Sequence, residues 1–517
     1  MMSKKHWFAI ALLLASTDGV YAGEKEDLTQ LRDTTLSLIK LLVEQGVLGK
    51  DKADALIKQA QRQAHTDSAP AAVPENVVRV PYVPEVVKKE MREEIKKEVL
   101  AQAKTERWGN PNTLPEWVEH IKWEGDLRLR GQNDLFQDDN YAFVPNYIEI
   151  NKKGDITETG NPYLNTTEDR RRVRLRARLG MQADVSSNVL VGMRVTTGNT
   201  ADPVSTNVTI GTSNNRYTAV FDRAFIRYEP SSWLTLNGGK MANPWLNTDL
   251  VWDDDLNFDG VAATLKHENN FSLSRQWQAF VTLGAFPLQE VDLSPDDKWL
   301  YGAQLGLDFQ GSGDRRARMG VAYYSYRNTT GVRNAIGSHL QDFTAPEFLQ
   351  KGNTLYNISN DVDQPDLYAL ASDYTLLNVT GIFDVATFGR ARVSLAGDYV
   401  KNIGFDDNEI EQRSGLTVAD RSTGYLGKLS VGMPDMKGRG DWQVSAAYKY
   451  LEGDAVLDAY TDSDFHLGGT NAKGWIMGGQ YGVERNTWLS LKWLSADEID
   501  GPPLAIDVLQ LDLNTRF

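Results

Sequence analysis

The sequence predicts an all-β fold, a transmembrane antiparallel β-barrel of about 16 strands with an N-terminal α-helical or coiled-coil segment before it. Three observations carry that expectation. Runs of roughly ten residues alternate apolar and polar side chains over most of the chain. The connections between these runs sort into long and short, turn about. The last strand ends on an aromatic residue, with apolar residues at alternate positions before it.

Taken from the amino terminus, the first element is a short apolar run behind Lys4 and Lys5, followed by Val20-Tyr21-Ala22. This is the build of a secretory signal peptide over residues 1–22. It is too short for a membrane-spanning helix, which needs about 18 or more apolar residues. Residues 23–64 carry Leu28, Leu31, Leu38, Leu42, Leu56 and Ile57 at helical spacings and read as a helical segment. Residues 65–83, rich in proline and alanine, read as a linker. Residues 84–107 open on Pro84 and mix both charge signs, as a solvated or coiled-coil helix does. The barrel is expected over 120–517, with the helical segment in the periplasm.

From Ile121 the period changes to two. In RRRVRLRARLGMQADV, residues 170–185, one face holds Arg170, Arg172, Arg174, Arg176 and Arg178, and the other Val173, Leu175, Ala177, Leu179 and Met181. A helix would scatter these arginines around its circumference, whereas a strand turns alternate side chains to opposite sides. IKWEGDLRLR repeats the arrangement, with Arg128 and Arg130 on its polar face, and YGAQLGLDF, RARMGVAYY, ARVSLAGDYV and DWQVSAAYKY follow it. One run, YTAVFDRAFIRYEP, departs by carrying aromatics on both faces.

Tight turns are expected at 186–188, 230–232, 311, 388 and 484, and long loops near 132–169, 200–216, 242–256, 328–373, 402–421 and 453–473. That sorting is how an outer-membrane barrel distributes turns and extracellular loops. An apolar outer face then meets lipid, and the arginines meet water inside. Trp233, Trp277, Trp299, Trp442, Trp475, Trp488 and Trp493 near strand ends fit interfacial girdles. In AIDVLQLDLNTRF, Leu509, Leu511, Leu513 and the terminal Phe517 resemble the carboxy-terminal assembly signal of outer-membrane barrels, with Thr515 departing from it.

The 517 residues carry a formal net charge of -15 and no cysteine, which removes disulfides and thiolate chemistry and disfavours general nucleic-acid binding. His65, His120, His267, His339 and His466 do not stand at metal-ligand spacing to one another. No phosphate-cradling loop is present, and neither a catalytic residue, a cofactor nor a resident metal is expected.

LIKLLVEQGVLGKDKADALI, WEGDLRLRGQ, RRRVRLRARLG, AFIRYEPSSWLTLNGGKM and the terminal Phe517 together resemble the bacterial "putative porin" family of outer-membrane proteins. The resemblance spans nearly the whole chain beyond the signal peptide and implies a water-filled channel for passive diffusion of small hydrophilic solutes and ions. The expected partners are outer-membrane lipid and lipopolysaccharide, the barrel assembly machinery and small solutes, with a homotrimer as a candidate assembly and no nucleic acid.

Arg128, Arg130, Arg170, Arg172, Arg174, Arg176 and Arg178 are the candidate pore-lining residues, a basic wall for anionic solutes. The alternative is that they solvate the wall and pair with Glu124 and Asp126. In NPWLNTDLVWDDDLNFDG, by analogy with general porins, Asp253, Asp254 and Asp255 are candidates for a constriction loop facing that wall; an acidic surface loop or a calcium site is the alternative. At the level of the whole protein, an envelope tether with a plugged lumen and a barrel-type hydrolase remain as alternatives.

Overall fold

The computed structural model describes residues 120–517, apart from 154–161, 273–274, 293, 312–314 and 362–364. The signal-peptide, helical-segment and linker expectations lie outside the described residues.

The barrel strands, numbered in chain order, begin with β1 (Ile121–Phe136), β2 (Arg170–Ser186), β3 (Val189–Thr197), β4 (Ala219–Ser231), β5 (Leu234–Ala242), β6 (Asn257–Ser272), β7 (Arg275–Gln289) and β8 (Lys298–Gln310). They continue as β9 (Arg316–Arg327), β10 (Thr375–Phe388), β11 (Ala391–Asn402), β12 (Thr423–Gly432), β13 (Trp442–Leu451), β14 (Ala472–Glu484), β15 (Thr487–Glu498) and β16 (Ala505–Arg516). Each pairs antiparallel with its neighbours in sequence, and β16 returns to β1, so these strands form one closed ring. A two-residue strand, Val208–Thr209, pairs onto β2 beyond the end of β3. Closure satisfies the backbone of every strand without leaving an edge, the condition for crossing a bilayer with strands.

The ring closes at its two termini. β1 and β16 are in register from Asp126 opposite Arg516 to Phe136 opposite Ile506. Beyond that ladder the amide of Gly125 donates to the carbonyl of Phe517 at 3.1 Å, and the amide of Phe517 donates back at 3.0 Å. The Phe517 ring lies where a β-carbon on residue 125 would stand. Glycine is what lets the last side chain fold across the seam.

Strands run from 9 residues in β3 and β5 to 17 in β2. The longest exceed the roughly ten that a tilted strand needs to cross hydrocarbon and continue into the loop end. That end carries L1 (137–169), L2 (198–218), L3 (243–256), L4 (290–297), L5 (328–374), L6 (403–422), L7 (452–471) and L8 (499–504). The opposite end carries tight turns, the longer connection 433–441 and the chain's last residue.

Side chains sort as lipid outside and polar groups inside demand. Leu305 is 61 % exposed and Leu511 55 % exposed on the outer face, whereas inward Gln304 and Asn378 are each 1 % exposed. The aromatics on both faces of β4 follow from a bulge: Arg194 pairs with Arg223 and Val195 with Phe221, skipping Asp222. Below the skipped residue the face parity inverts, so Phe221 and Ile226 are both exposed outside while Phe225 packs inside.

The inner face is not polar throughout. Tyr324, Leu376, Val400, Leu426 and Leu451, on β9 to β13, are buried in one cluster with Trp245, Leu250, Val251, Trp252 and Leu256 of L3 and Val456 and Leu457 of L7. Apolar inward residues occur where two loops tuck inside and cover them.

Candidate functional site

β1 and β2 are neighbours, so their inward residues meet in pairs: Asp126 opposite Arg178, Arg128 opposite Arg176, Arg130 opposite Arg174, Gln132 opposite Arg172 and Asp134 opposite Arg170. Stacked guanidiniums repel one another in a partly dehydrated wall, and carboxylates are interleaved beside four of them. Arg176 and Arg178 share Asp126, at 3.0 and 2.6 Å. Arg172 holds Asp134 at 2.7 Å. Arg130, almost fully buried, reaches Asp512 on β16 through Nε at 2.8 Å and Asp464 of L7 through Nη1 at 2.8 Å. Arg171 lies on the other parity and is exposed.

L3 crosses the barrel to this wall. Gln304 on β8 brackets Leu246, accepting from its amide and donating to its carbonyl, both at 2.8 Å. Thr248 donates to Asp398 on β11 at 2.6 Å, and the buried Lys449 on β13 donates to the Asp249 carbonyl at 3.1 Å. L7 locks the next turn: the Asp253 amide donates to the Tyr460 carbonyl at 2.9 Å and Thr461 donates to the Leu250 carbonyl at 2.9 Å. Asp255 then lies against β2, 3.3 Å from Arg176 and 3.1 Å from Arg178, and accepts from Thr206 of L2 at 3.2 Å.

The three candidate aspartates therefore diverge. Only Asp255 meets the arginines. Burial pushes its carboxyl up, but Arg176, Arg178 and Arg128 outweigh burial and hold it below the usual carboxylate range. Asp253 accepts from the amides of Asp255 at 2.7 Å and Ser463 at 2.9 Å, which fastens L3 to L7. Burial, with Asp462 and Asp255 nearby, pushes its carboxyl well up. Asp254 is exposed. The Asp249 carboxylate, with burial adding to it, pushes Asp254 up to about 7.

Two cavities flank the contact of Asp255 with Arg176 and Arg178. On the loop side, about 360 Å³ is lined by Gln132, Arg170, Arg172, Arg174, Ser205 and Asp464, among others. On the terminus side, about 400 Å³ is lined by Glu124, Asp126, Arg176, Arg178, Arg194 and Arg223, among others. Of the two pairing partners expected for the wall, Asp126 takes that part, and Glu124 accepts a long 3.5 Å bond from Gln182. Leu509, Leu511 and Leu513 all face outward and exposed, as does Phe517 at the seam.

Sequence reasoning missed Asp464 and Asp462 of L7, Ser205, Thr206 and Asn207 of L2, and Asp512. Asp512 had a signal, since it falls on the polar parity of QLDLN opposite Arg130. Nothing in the composition of L2 or L7 marks them as inward loops.

A family model described as "Putative porin" matches residues 32–517. No curated protein matches the chain. Among solved structures, the high-pH form of Pseudomonas putida OprB is 10 % identical, with a TM-score of 0.44 over 77 % of this chain and 95 % of that one. Salmonella typhi OmpF in complex with daunomycin is 10 % identical, with a TM-score of 0.40 over 77 % and 97 %. The trimer form of Vibrio cholerae OmpT is 10 % identical, with a TM-score of 0.38 over 77 % and 99 %.

Proposed function

This chain belongs to the "Putative porin" family of outer-membrane channels, and from that premise we propose that small hydrophilic solutes diffuse along the arginine wall and pass beside the contact that Asp255 makes with Arg176 and Arg178, where L3 narrows the lumen. The observation that carries this reading is the course of L3, which leaves the wall between β5 and β6, packs its apolar residues against β9 to β13, and delivers one carboxylate to the opposite side between two polar cavities. Rings of charge at a narrowing set ion preference because they are the nearest fixed charges to a permeating ion. Arg128, Arg130, Arg170, Arg172, Arg174, Arg176 and Arg178 make the wall basic, and L3 sets one carboxylate, Asp255, against it. A channel of this kind needs no covalent step; its selectivity comes from width and fixed charge.

The test is single-channel conductance of detergent-folded protein in a planar bilayer, with reversal potentials under a salt gradient. Stable open steps with a defined reversal potential are expected. Folded protein that never conducts would overturn the channel reading and favour a barrel plugged by L3 and L7.

A further inference from the structure

We propose that Arg128 and Arg174, together with Ser205 and Asn207 of L2, bind the carboxylate group of a small solute. This rests on the channel reading and names the chemistry of what the wall retains.

Seven inward guanidiniums stand on β1 and β2, an exposed one at 170 and six packed together at 128, 130, 172, 174, 176 and 178. Four of them have carboxylates. Among the described residues, no carboxylate oxygen lies within 4.0 Å of Arg128 or Arg174. Arg128 donates through Nη2 to the amide oxygen of Asn207 at 2.6 Å. Arg174 makes only two long contacts, to Gln132 Oε1 and Ser205 Oγ, both at 3.4 Å. The Nε of each is buried and has no hydrogen-bond partner.

The two residues form one cluster. Arg128 stands opposite Arg176 and so lies diagonal to Arg174 across the ladder, about 7–8 Å apart at the backbone. Asn207, which holds Arg128, donates to Ser205 at 3.3 Å, and Ser205 accepts from Arg174. Buried charge is ordinarily paired or neutralised, and arginine does not give up its proton. Two adjacent guanidiniums, each with an unfilled Nε donor and no carboxylate in contact, therefore favour an anion from outside the chain. The planar fork of a guanidinium matches a carboxylate through two parallel bonds.

Arg174 and Ser205 open onto the loop-side cavity of about 360 Å³, the low end of the range for small-molecule sites. The three acidic groups of that cavity are already engaged: Asp134 is held by Arg172, Asp202 accepts from the amides of Val204 and Ser205, each at 3.0 Å, and Asp464 is held by Arg130.

Isothermal titration of the full-length, detergent-folded protein with succinate reads this site without requiring an open channel. Wild type is expected to bind saturably, with Arg128→Gln and Arg174→Gln each weakening binding tenfold or more. Arg174→Lys, which keeps the charge and loses the fork, is expected to bind several-fold more weakly. Arg171→Gln on the outer face serves as the control and is expected to bind as wild type. Heat-modifiable gel mobility reports folding of each variant. The proposal is overturned if wild type gives no binding heat, if folded Arg174→Gln binds like wild type, or if chloride or phosphate competes as well as a second carboxylate, acetate. Succinate binding by protein that does not conduct would overturn the channel reading and leave the site standing.

Discussion

Asp255→Asn is the sharpest probe of the constriction. The substitution keeps the side-chain volume and a hydrogen-bonding oxygen for Thr206, while removing the one carboxylate that L3 sets against Arg176 and Arg178. For an ion passing about 6 Å from that charge, Coulomb's law in water gives about 0.7 kcal/mol. Screening at 0.1 M salt, where the Debye length is about 10 Å, reduces this to about 0.4 kcal/mol. An anion gains this energy and a cation loses it, so the two effects multiply in the permeability ratio. The expected rise in anion over cation permeability is about 4-fold screened and about 10-fold unscreened. Reversal potentials in a KCl gradient measure it, and Arg178→Gln must move the ratio the other way. A folded Asp255→Asn channel with the wild-type ratio refutes the placement of Asp255 beside the permeation path.

Two further outcomes follow from the same geometry. Asp254, pushed up to about 7, is neutral below that pH and anionic above it, so cation preference rises between about pH 6 and 8; Asp254→Asn flattens that rise in reversal-potential titrations. By linkage the neutral form favours the folded loop: its stabilising effect is complete below the unfolded value near 3.9 and is lost as pH rises through about 7. Arg130→Gln leaves Asp464 and Asp512 without their buried counter-charge, a loss of about 3–5 kcal/mol; the urea midpoint in detergent reads it, and a shift worth under about 1 kcal/mol would contradict the buried geometry.

The wall of the barrel was legible because a strand in a membrane barrel has two different solvents, and the residues of β2 alternate as cleanly as lipid and water do. β4 was not, because one skipped residue at Asp222 inverts its parity, and a bulge leaves no mark in composition. The acidic run in L3 pointed to an inward loop, yet its three carboxylates look alike in sequence and differ only in what they touch. Asp253 ties L3 to L7, Asp254 faces Asp249, and Asp255 alone meets the basic wall. L7 carried no comparable hint. Its place shows in its partners, since Leu376, Val400, Leu426 and Leu451 sit on inward positions that a water-filled lumen would leave polar.

The seam at Gly125 and Phe517 has a bearing on synthesis and quality control. Arg130 and its partner Asp512 are 382 residues apart in the chain, and joining ends so distant carries an entropic cost of about 5 kcal/mol. None of that can be recovered until β16 exists to pair with β1. Until then the sheet keeps two unpaired edges, on β1 and β15, and Arg130 lacks Asp512, a species that proteases and chaperones can tell from the finished ring.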